Sequence, residues 1–429
     1  MPTELPPFIQ HAIESHRARR ARGGDRKVLF LWHWGHHYHL FRLIGQALPD
    51  GLTSRRLGVY QLIPAPLPWP LRHGGPLPPE VMERIMRFEA ARMACARHTP
   101  DSAQFAQWLS RVATEWYDTM RRHLEGYDAV VLWSAFRVPL SAAAAAAHSL
   151  GIHAIICENG PFPGTMAMDP GGINAESSIT DRPAEAYRGL VMDPALREAL
   201  LATRLRQRPL RKAHGAAHDA LDDTKPLPER YVLFPMQVHD DSQVLVFSPR
   251  FDTVAEAVRY TAAQVEQHNA RTGDRLALVV KEHPSDYGRI DYGPLRAALP
   301  QVRFVRTTPV SEIVGQARAV VTLNSSVGVE ALLHMRPVAT LGRALYNVPG
   351  VARHVGADEE LGDVLPGLVD QPVDEDLVTK FLYFLRYEYL LPLTLKGATG
   401  ANVLLAAQRV ADVLAGRLSW ARPTPEVRP

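Results

Sequence analysis

Several clusters of polar residues stand directly after apolar runs, which is where an α/β fold gathers its chemistry. The sharpest is Asn324-Ser325-Ser326-Val327-Gly328-Val329-Glu330, next after Ala319-Val320-Val321-Thr322-Leu323. A short, β-branched, uncharged run reads as a buried strand, and the residues after it read as a helix opening on small hydrogen-bonding groups. The first N–H groups of a helix lack internal partners and carry partial positive charge, so a strand feeding Ser-Ser-x-Gly predicts an anion seat. Ser325 and Ser326 supply hydroxyl donors, Asn324 an amide, and Gly328 admits a ligand to the backbone. Glu330, one turn in, can accept from ribose hydroxyls. The plain alternative is a capped helix in an ordinary α/β domain.

Lys281-Glu282-His283-Pro284 ends another strand with two cations, a natural grip for phosphate. In Pro235-Met236-Gln237-Val238-His239-Asp240-Asp241-Ser242-Gln243, Gln237 and Ser242 can hydrogen-bond a sugar or phosphate, and His239 can bind an anion when protonated. Asp240-Asp241 lacks the spacing of a DxD metal motif, which argues against a metal there; no cofactor is expected. A further cluster runs from Glu158-Asn159-Gly160 through Asp169 to Gly171-Gly172-Ile173-Asn174. Its glycines and prolines force irregular backbone able to present Glu158 and Asp169 from a shaped loop. Two carboxylates suit glycosyl transfer, as nucleophile and base; a structural loop with solvated acids is the alternative. After the first strand, His33, His36, His37 and His39 alternate with Trp32, Trp34 and Tyr38. Metal ligation needs converging histidines, and four on one loop cannot all converge. Acceptor recognition through aromatic and imidazole groups, His33 and His36 among them, is the favoured reading over a packed or solvated loop.

These clusters imply the elements that carry them. Val28–Trp32, Ala129–Trp133 and His153–Cys157 read as strands alternating with helices, the second followed by an alanine-rich helix from Val138 to Leu150. A proline-rich loop occupies 64–79, and a polar connector about 203–228. From Tyr231 the alternation is regular, through strands 276–281, 302–305, 319–323 and 338–341, and a helical stretch with aromatics covers about 374–414. The expected organisation is an acceptor-side domain over 1–225, a nucleotide-sugar domain over 226–373 and C-terminal helices over 374–429 returning to the first domain. Two doubly wound parallel-sheet domains with a cleft and a helical return make a GT-B-like α/β fold, whose ligands bind beyond the carboxyl ends of the strands.

The chain has 429 residues, 46% hydrophobic, enough for two cores. A net charge of +3, with no basic block interleaved with aromatics, argues against nucleic acid as a partner. Arginine clusters occur at Arg17–Arg22 and Arg206–Arg208; the first reads as a solvated helix face, with contact to an anionic membrane surface as the alternative. The two cysteines, Cys95 and Cys157, fit neither a zinc site nor a disulfide framework and point to a reducing compartment. Without a signal peptide or a long apolar run, a cytoplasmic protein is expected, with at most peripheral contact on the inner face of the membrane.

Taken in order, Glu158-Asn159-Gly160, Asp169…Gly172-Ile173-Asn174, Gln237-Val238…Asp241-Ser242-Gln243, Lys281-Glu282-His283-Pro284 and Asn324-Ser325-Ser326-Val327-Gly328-Val329-Glu330 resemble the capsule polysaccharide biosynthesis family, over about residues 125–350. Its members include retaining β-Kdo transferases that use CMP-Kdo and build a Kdo linker on a phosphatidylglycerol-type lipid. The resemblance implies a GT-B-like fold, a CMP-sugar donor, and donor contacts at His283-Pro284 and Ser325-Ser326. It places the acid before Gly-Ile-Asn at Asp169, taken as nucleophile with Glu158 as base or orienting group; Asn174 joins the acceptor side. The expected function is transfer of Kdo or a related sugar acid from a CMP-sugar to a lipid-linked or glycan acceptor. The rivals are a non-catalytic protein of capsule assembly that binds a lipid-linked glycan or export machinery at the inner membrane, and a nucleotide-sugar epimerase.

Overall fold

The computed structural model describes residues 25–62, 77–95, 102–205, 223, 225–418 and 420. Both arginine clusters, the proline-rich stretch 64–76 and the Cys95 side chain lie outside the described residues. The chain divides into two units, Met1–Ile179 with Tyr389–Pro429, and Thr180–Glu388.

In the first unit, β1 (Arg26–Trp32), β2 (Leu52–Gly58), β3 (Ala129–Trp133), β4 (His153–Asn159) and β5 (Met166–Asp169) form one sheet in the order β2-β1-β3-β4-β5. The first four are parallel; β5 runs antiparallel to β4, Cys157 facing Met168 in register. The order reverses between β1 and β3, because the chain leaves β1 for one side and resumes on the other. Val28, Phe30, Val131, Ile155 and Cys157 fill one face with Leu40, Phe41 and Ile44 of α1 (Gly35–Gln46). The late segment completes that core: Leu391 and Leu393, and Val403, Ala406 and Val410 of helix Gly400–Ala415. Cys157 is wholly buried, and burial raises its thiol pKa, so it packs as a small apolar residue.

The second unit carries β6 (Tyr231–Pro235), β7 (Ala277–Lys281), β8 (Arg303–Val305), β9 (Ala319–Thr322), β10 (Val338–Thr340) and the two-residue β11 (Arg353–His354). All are parallel, in the order β11-β10-β9-β6-β7-β8. Every residue of β6 and β9 is buried, which is why these strands read as unbroken apolar runs. The order reverses between β6 and β9, the topological switch point at which doubly wound sheets bind ligands. The boundaries expected at 225 and 373 both fall inside this unit. Short helices Glu185–Arg188 and Pro194–Ala202 pack on Glu375–Tyr383, Tyr187 meeting Phe381 edge-on at 5.3 Å. The chain leaves the unit through a π-helical turn, Phe384–Tyr389, not one continuous helix. Among the described residues no helix is long and apolar enough to cross a membrane.

Candidate functional site

At the second unit's switch point the loops after β6, β7 and β9 are bonded into one surface. Gln237, after β6, donates through Nε2 to Asn324 Oδ1 at 2.9 Å and accepts the Asn324 backbone N–H at 3.2 Å. Asn324 Nδ2 then donates to the Gln243 carbonyl at 2.8 Å. Both amides are buried, so they brace the switch point and present little to a ligand. The β6 and β7 loops are joined by His239 and Asp286. Asp286, 1% exposed, accepts from His239 Nδ1 at 2.7 Å, the His239 backbone N–H at 3.2 Å and the Tyr292 hydroxyl at 2.9 Å. This orients the imidazole with Nδ1–H toward the carboxylate. His283 accepts the Ser285 N–H through Nδ1 at 3.1 Å, capping the turn that holds Asp286.

Asp241 begins the short helix Ser242–Phe247 as its N-cap. Its Oδ1 accepts the Gln243 N–H at 2.9 Å, and the Ser242 hydroxyl lies 3.5 Å away. Among the described residues no donor reaches its Oδ2. Burial raises its pKa, opposed by the Gln243 and Ser242 contacts and reinforced by the charges of Asp240 and Asp286. The carboxylate is thus half-buried, with one oxygen fixed at the helix start.

The geometry changes several expected roles. Lys281 is buried and its ammonium donates to the Arg306 carbonyl; burial lowers its pKa to about 8. Glu282, 1% exposed, is clamped by Arg296 at 2.6 Å and Arg306 at 2.9 Å, a buried triad that stiffens the loop. In the Ser325–Glu330 segment the first-turn N–H groups are already occupied. Val327 N–H donates to Ser325 Oγ at 3.2 Å, and Gly328 N–H to the Ser325 carbonyl at 2.9 Å. The helix, Val327–Leu333, is also only seven residues long. The groups still available to a ligand are the exposed Ser326 and the proton of the Ser325 hydroxyl; Glu330 is buried.

The missing side chain at Gly328 makes room for Tyr346. A Cβ there would come within 2.3 Å of the Tyr346 hydroxyl, which donates to the Ser325 carbonyl at 2.6 Å. Gly328→Ala is therefore expected to over-pack this contact and cost about 1–3 kcal/mol, read as a lower melting temperature. An unchanged melt would show that Tyr346 can retreat.

In the first unit Asp169 is wholly buried. Its Oδ1 accepts from Gly171 N–H at 2.6 Å and Gly172 N–H at 3.2 Å, and its Oδ2 from Ser178 N–H at 3.0 Å and the Ser178 hydroxyl at 2.8 Å. The Tyr389 hydroxyl donates to it as well. Burial raises the Asp169 pKa and these hydrogen bonds oppose that rise. So enclosed, the carboxylate ties the Gly/Pro loop to the end of β5, in place of the open position expected of a nucleophile. Arg409, also buried, donates to the Tyr389 carbonyl at 2.9 Å, with its guanidinium carbon 4.9 Å from the Trp420 ring centre. Glu158 is half-buried, and its Oε1 accepts the Asn159 N–H at 2.8 Å. Asn174 opens a short 3-10 turn with φ 58°, a conformation asparagine tolerates. His33 and His36 lie at the carboxyl end of β1, His36 exposed and 4.5 Å from the buried His37 ring. Burial lowers the His37 pKa to about 4, so it is neutral. Among the described residues no three His, Cys, Asp or Glu side chains gather as metal ligands.

All of the switch-point loops fall within residues 193–364, which match the family model for "Capsule polysaccharide biosynthesis protein". The chain is 31% identical to Protein FixF of Sinorhizobium fredii over 310 residues, 71% of each chain. It belongs to the capsule polysaccharide biosynthesis family. This family member is also 35% identical over 133 residues to the capsule polysaccharide export protein KpsS of Escherichia coli, covering 29% of the chain and 33% of KpsS. Among solved structures, the β-Kdo 2,7 transferase KpsC of Thermosulfurimonas dismutans covers 90% of the chain and is itself wholly covered, at 13% identity and a TM-score of 0.44; a likeness so distant carries no argument about chemistry. Sequence reading of this family member missed Asp286, Tyr292 and Tyr346. The signals were a lone acid two residues after His-Pro and tyrosines in loops, none of which shows its long-range partner in the sequence.

Proposed function

We propose that this protein transfers Kdo or a related sugar acid from a CMP-sugar, the second unit holding the donor and the first the acceptor. The observation that carries the reading is the bonded surface at the second unit's switch point, where His239, Asp241, His283, Ser325 and Ser326 stand on three adjoining loops. His283 and the Ser325 and Ser326 hydroxyls bind the nucleotide phosphate, supported by the nearby Lys281 charge. Gln237, Asn324 and Glu330 act behind them by fixing the loops. Asp241 takes the nucleophile's place, and Asp169 a structural one. Its Oδ2 attacks the anomeric carbon while the bond to CMP breaks, and the acceptor hydroxyl then displaces Asp241, passing its proton to His239 Nε2. Asp286 acts through His239, stabilising the imidazolium so formed. Glu158, His33, His36 and Asn174 remain on the acceptor side. In this scheme the nucleotide leaves on a phosphate held by imidazole and hydroxyl groups, with the buried Lys281 charge behind them.

CMP is expected to stabilise the protein by about 2.7 kcal/mol at a hundredfold excess over its dissociation constant, and UDP and GDP are not. Thermal-shift titration checks this, and an equal shift with UDP would remove the CMP assignment. The likeness to KpsS, a capsule polysaccharide export protein, supports a second reading: a capsule protein that binds a lipid-linked glycan for export without catalysis. Release of CMP on mixing with donor separates the two.

A further inference from the structure

The sheet of the first unit has its own switch point, between β1 and β3, and a doubly wound sheet binds ligands beyond the carboxyl ends of its strands at such a reversal. The loops there carry a row of exposed rings. His33, after β1, lies 4.8 Å from the Trp34 ring and 5.2 Å from the Tyr60 ring, and the Tyr60 hydroxyl is 3.0 Å from His33 Nε2. Trp34 is 55% exposed and Tyr60, on the turn after β2, 60% exposed. Single exposed aromatics are ordinary, but these two flank one imidazole from adjoining loops. The row is braced from beneath. Trp32 packs so closely on Gly58 that a Cβ there would come within 2.6 Å of its ring, and His37 stacks on Trp133 at 5.1 Å. After β3 stands Arg137, its side chain 58% exposed; its carboxylate neighbour Glu89 is 3.8 Å away and is held more closely by Arg92, at 2.7 Å. Arg137 is near enough to His33 for its charge, after burial, to lower the imidazole pKa.

We propose that Trp34, Tyr60, His33 and Arg137 form a binding site for a carboxylate-bearing pyranose of the acceptor glycan. The C–H face of the sugar ring lies on the aromatic rings, whose polar edges hydrogen-bond its hydroxyls. Arg137 receives the carboxylate in the bidentate manner suited to a guanidinium. The proposal rests on the first unit holding the acceptor.

The test titrates the full-length protein with glucuronic acid and with glucose, following tryptophan fluorescence and saturation-transfer NMR. Glucuronic acid is expected to bind about tenfold more tightly than glucose, the worth of one hydrogen-bonded charge. Trp34→Ala and Tyr60→Ala weaken both sugars, whereas Trp34→Phe keeps most of the binding. Arg137→Gln removes the preference for glucuronic acid and leaves glucose unchanged. Melting curves confirm that these surface variants fold. Wild-type protein that binds neither sugar, binding undisturbed in Trp34→Ala and Tyr60→Ala, or a preference that survives Arg137→Gln, would overturn the site. CMP titration of the same samples reads the second unit alone, so failure of the donor assignment and failure of this site are distinguishable.

Discussion

An Asp241→Asn protein is expected to fold normally and bind CMP within about threefold of wild type, while transfer falls by about a thousandfold or more, roughly 4 kcal/mol of barrier. Asparagine is as good an N-cap as aspartate, so the bond to the Gln243 N–H survives and Ser242–Phe247 stays in place. The loss is confined to the charge on Oδ2. A group that bonds to the sugar only along the reaction path contributes to the transition state and little to ground-state nucleotide affinity. Single-turnover rates beside calorimetric CMP titration separate the two quantities. A variant that keeps more than about a tenth of the wild-type rate would move the nucleophile elsewhere, and Glu158 would be examined next.

Asp169→Ala is expected to fail differently. It strands the N–H groups of Gly171, Gly172 and Ser178 and the hydroxyls of Ser178 and Tyr389 in a buried pocket. Removing a buried, multiply hydrogen-bonded charge costs about 3–5 kcal/mol. For units of this size that is a fall in melting temperature of roughly 6–20 °C. Asp169→Asn, which retains one accepting oxygen, should fall in between. Scanning calorimetry decides the matter. If Asp169→Ala melts like wild type yet is inactive, Asp169 acts on the substrate after all, and the structural role assigned to it is wrong.

These two carboxylates show what the sequence could reveal. Both stand beside glycine- or serine-bearing stretches, and composition treats them alike. Asp169 closes a four-residue antiparallel strand, β5, hidden in a Gly/Pro-rich stretch too short to show a period, so its burial left no local trace. Strands β6, β7 and β9 of the second unit were legible because each is a short, mainly apolar run buried on both faces; β11, only Arg353-His354, was not. β2, Leu-Thr-Ser-Arg-Arg-Leu-Gly at the sheet edge, was not, since only its last residue is buried. The site loops could be located from the ends of strands. Their internal bonds could not: Gln237 with Asn324, His239 with Asp286, and Asp169 with Tyr389 join residues 47 to 220 positions apart. The boundary at residue 225 was drawn at a polar connector, whereas Tyr187 packs on Phe381 and keeps the preceding helices with the second unit.

The first unit is discontinuous, and that orders events during synthesis. Thr180–Glu388 is one uninterrupted segment whose strands and helices are all present once it has left the ribosome. The earlier unit must wait, since Leu391, Leu393, Val403, Ala406 and Val410 complete its core. At about 5–20 residues per second the intervening two hundred or so residues take roughly 10–40 s to translate. For that interval the first sheet is a nascent chain with part of its apolar face uncovered, a natural client for a chaperone. A chain truncated after Glu388 would release a complete second unit tethered to an unfinished first one.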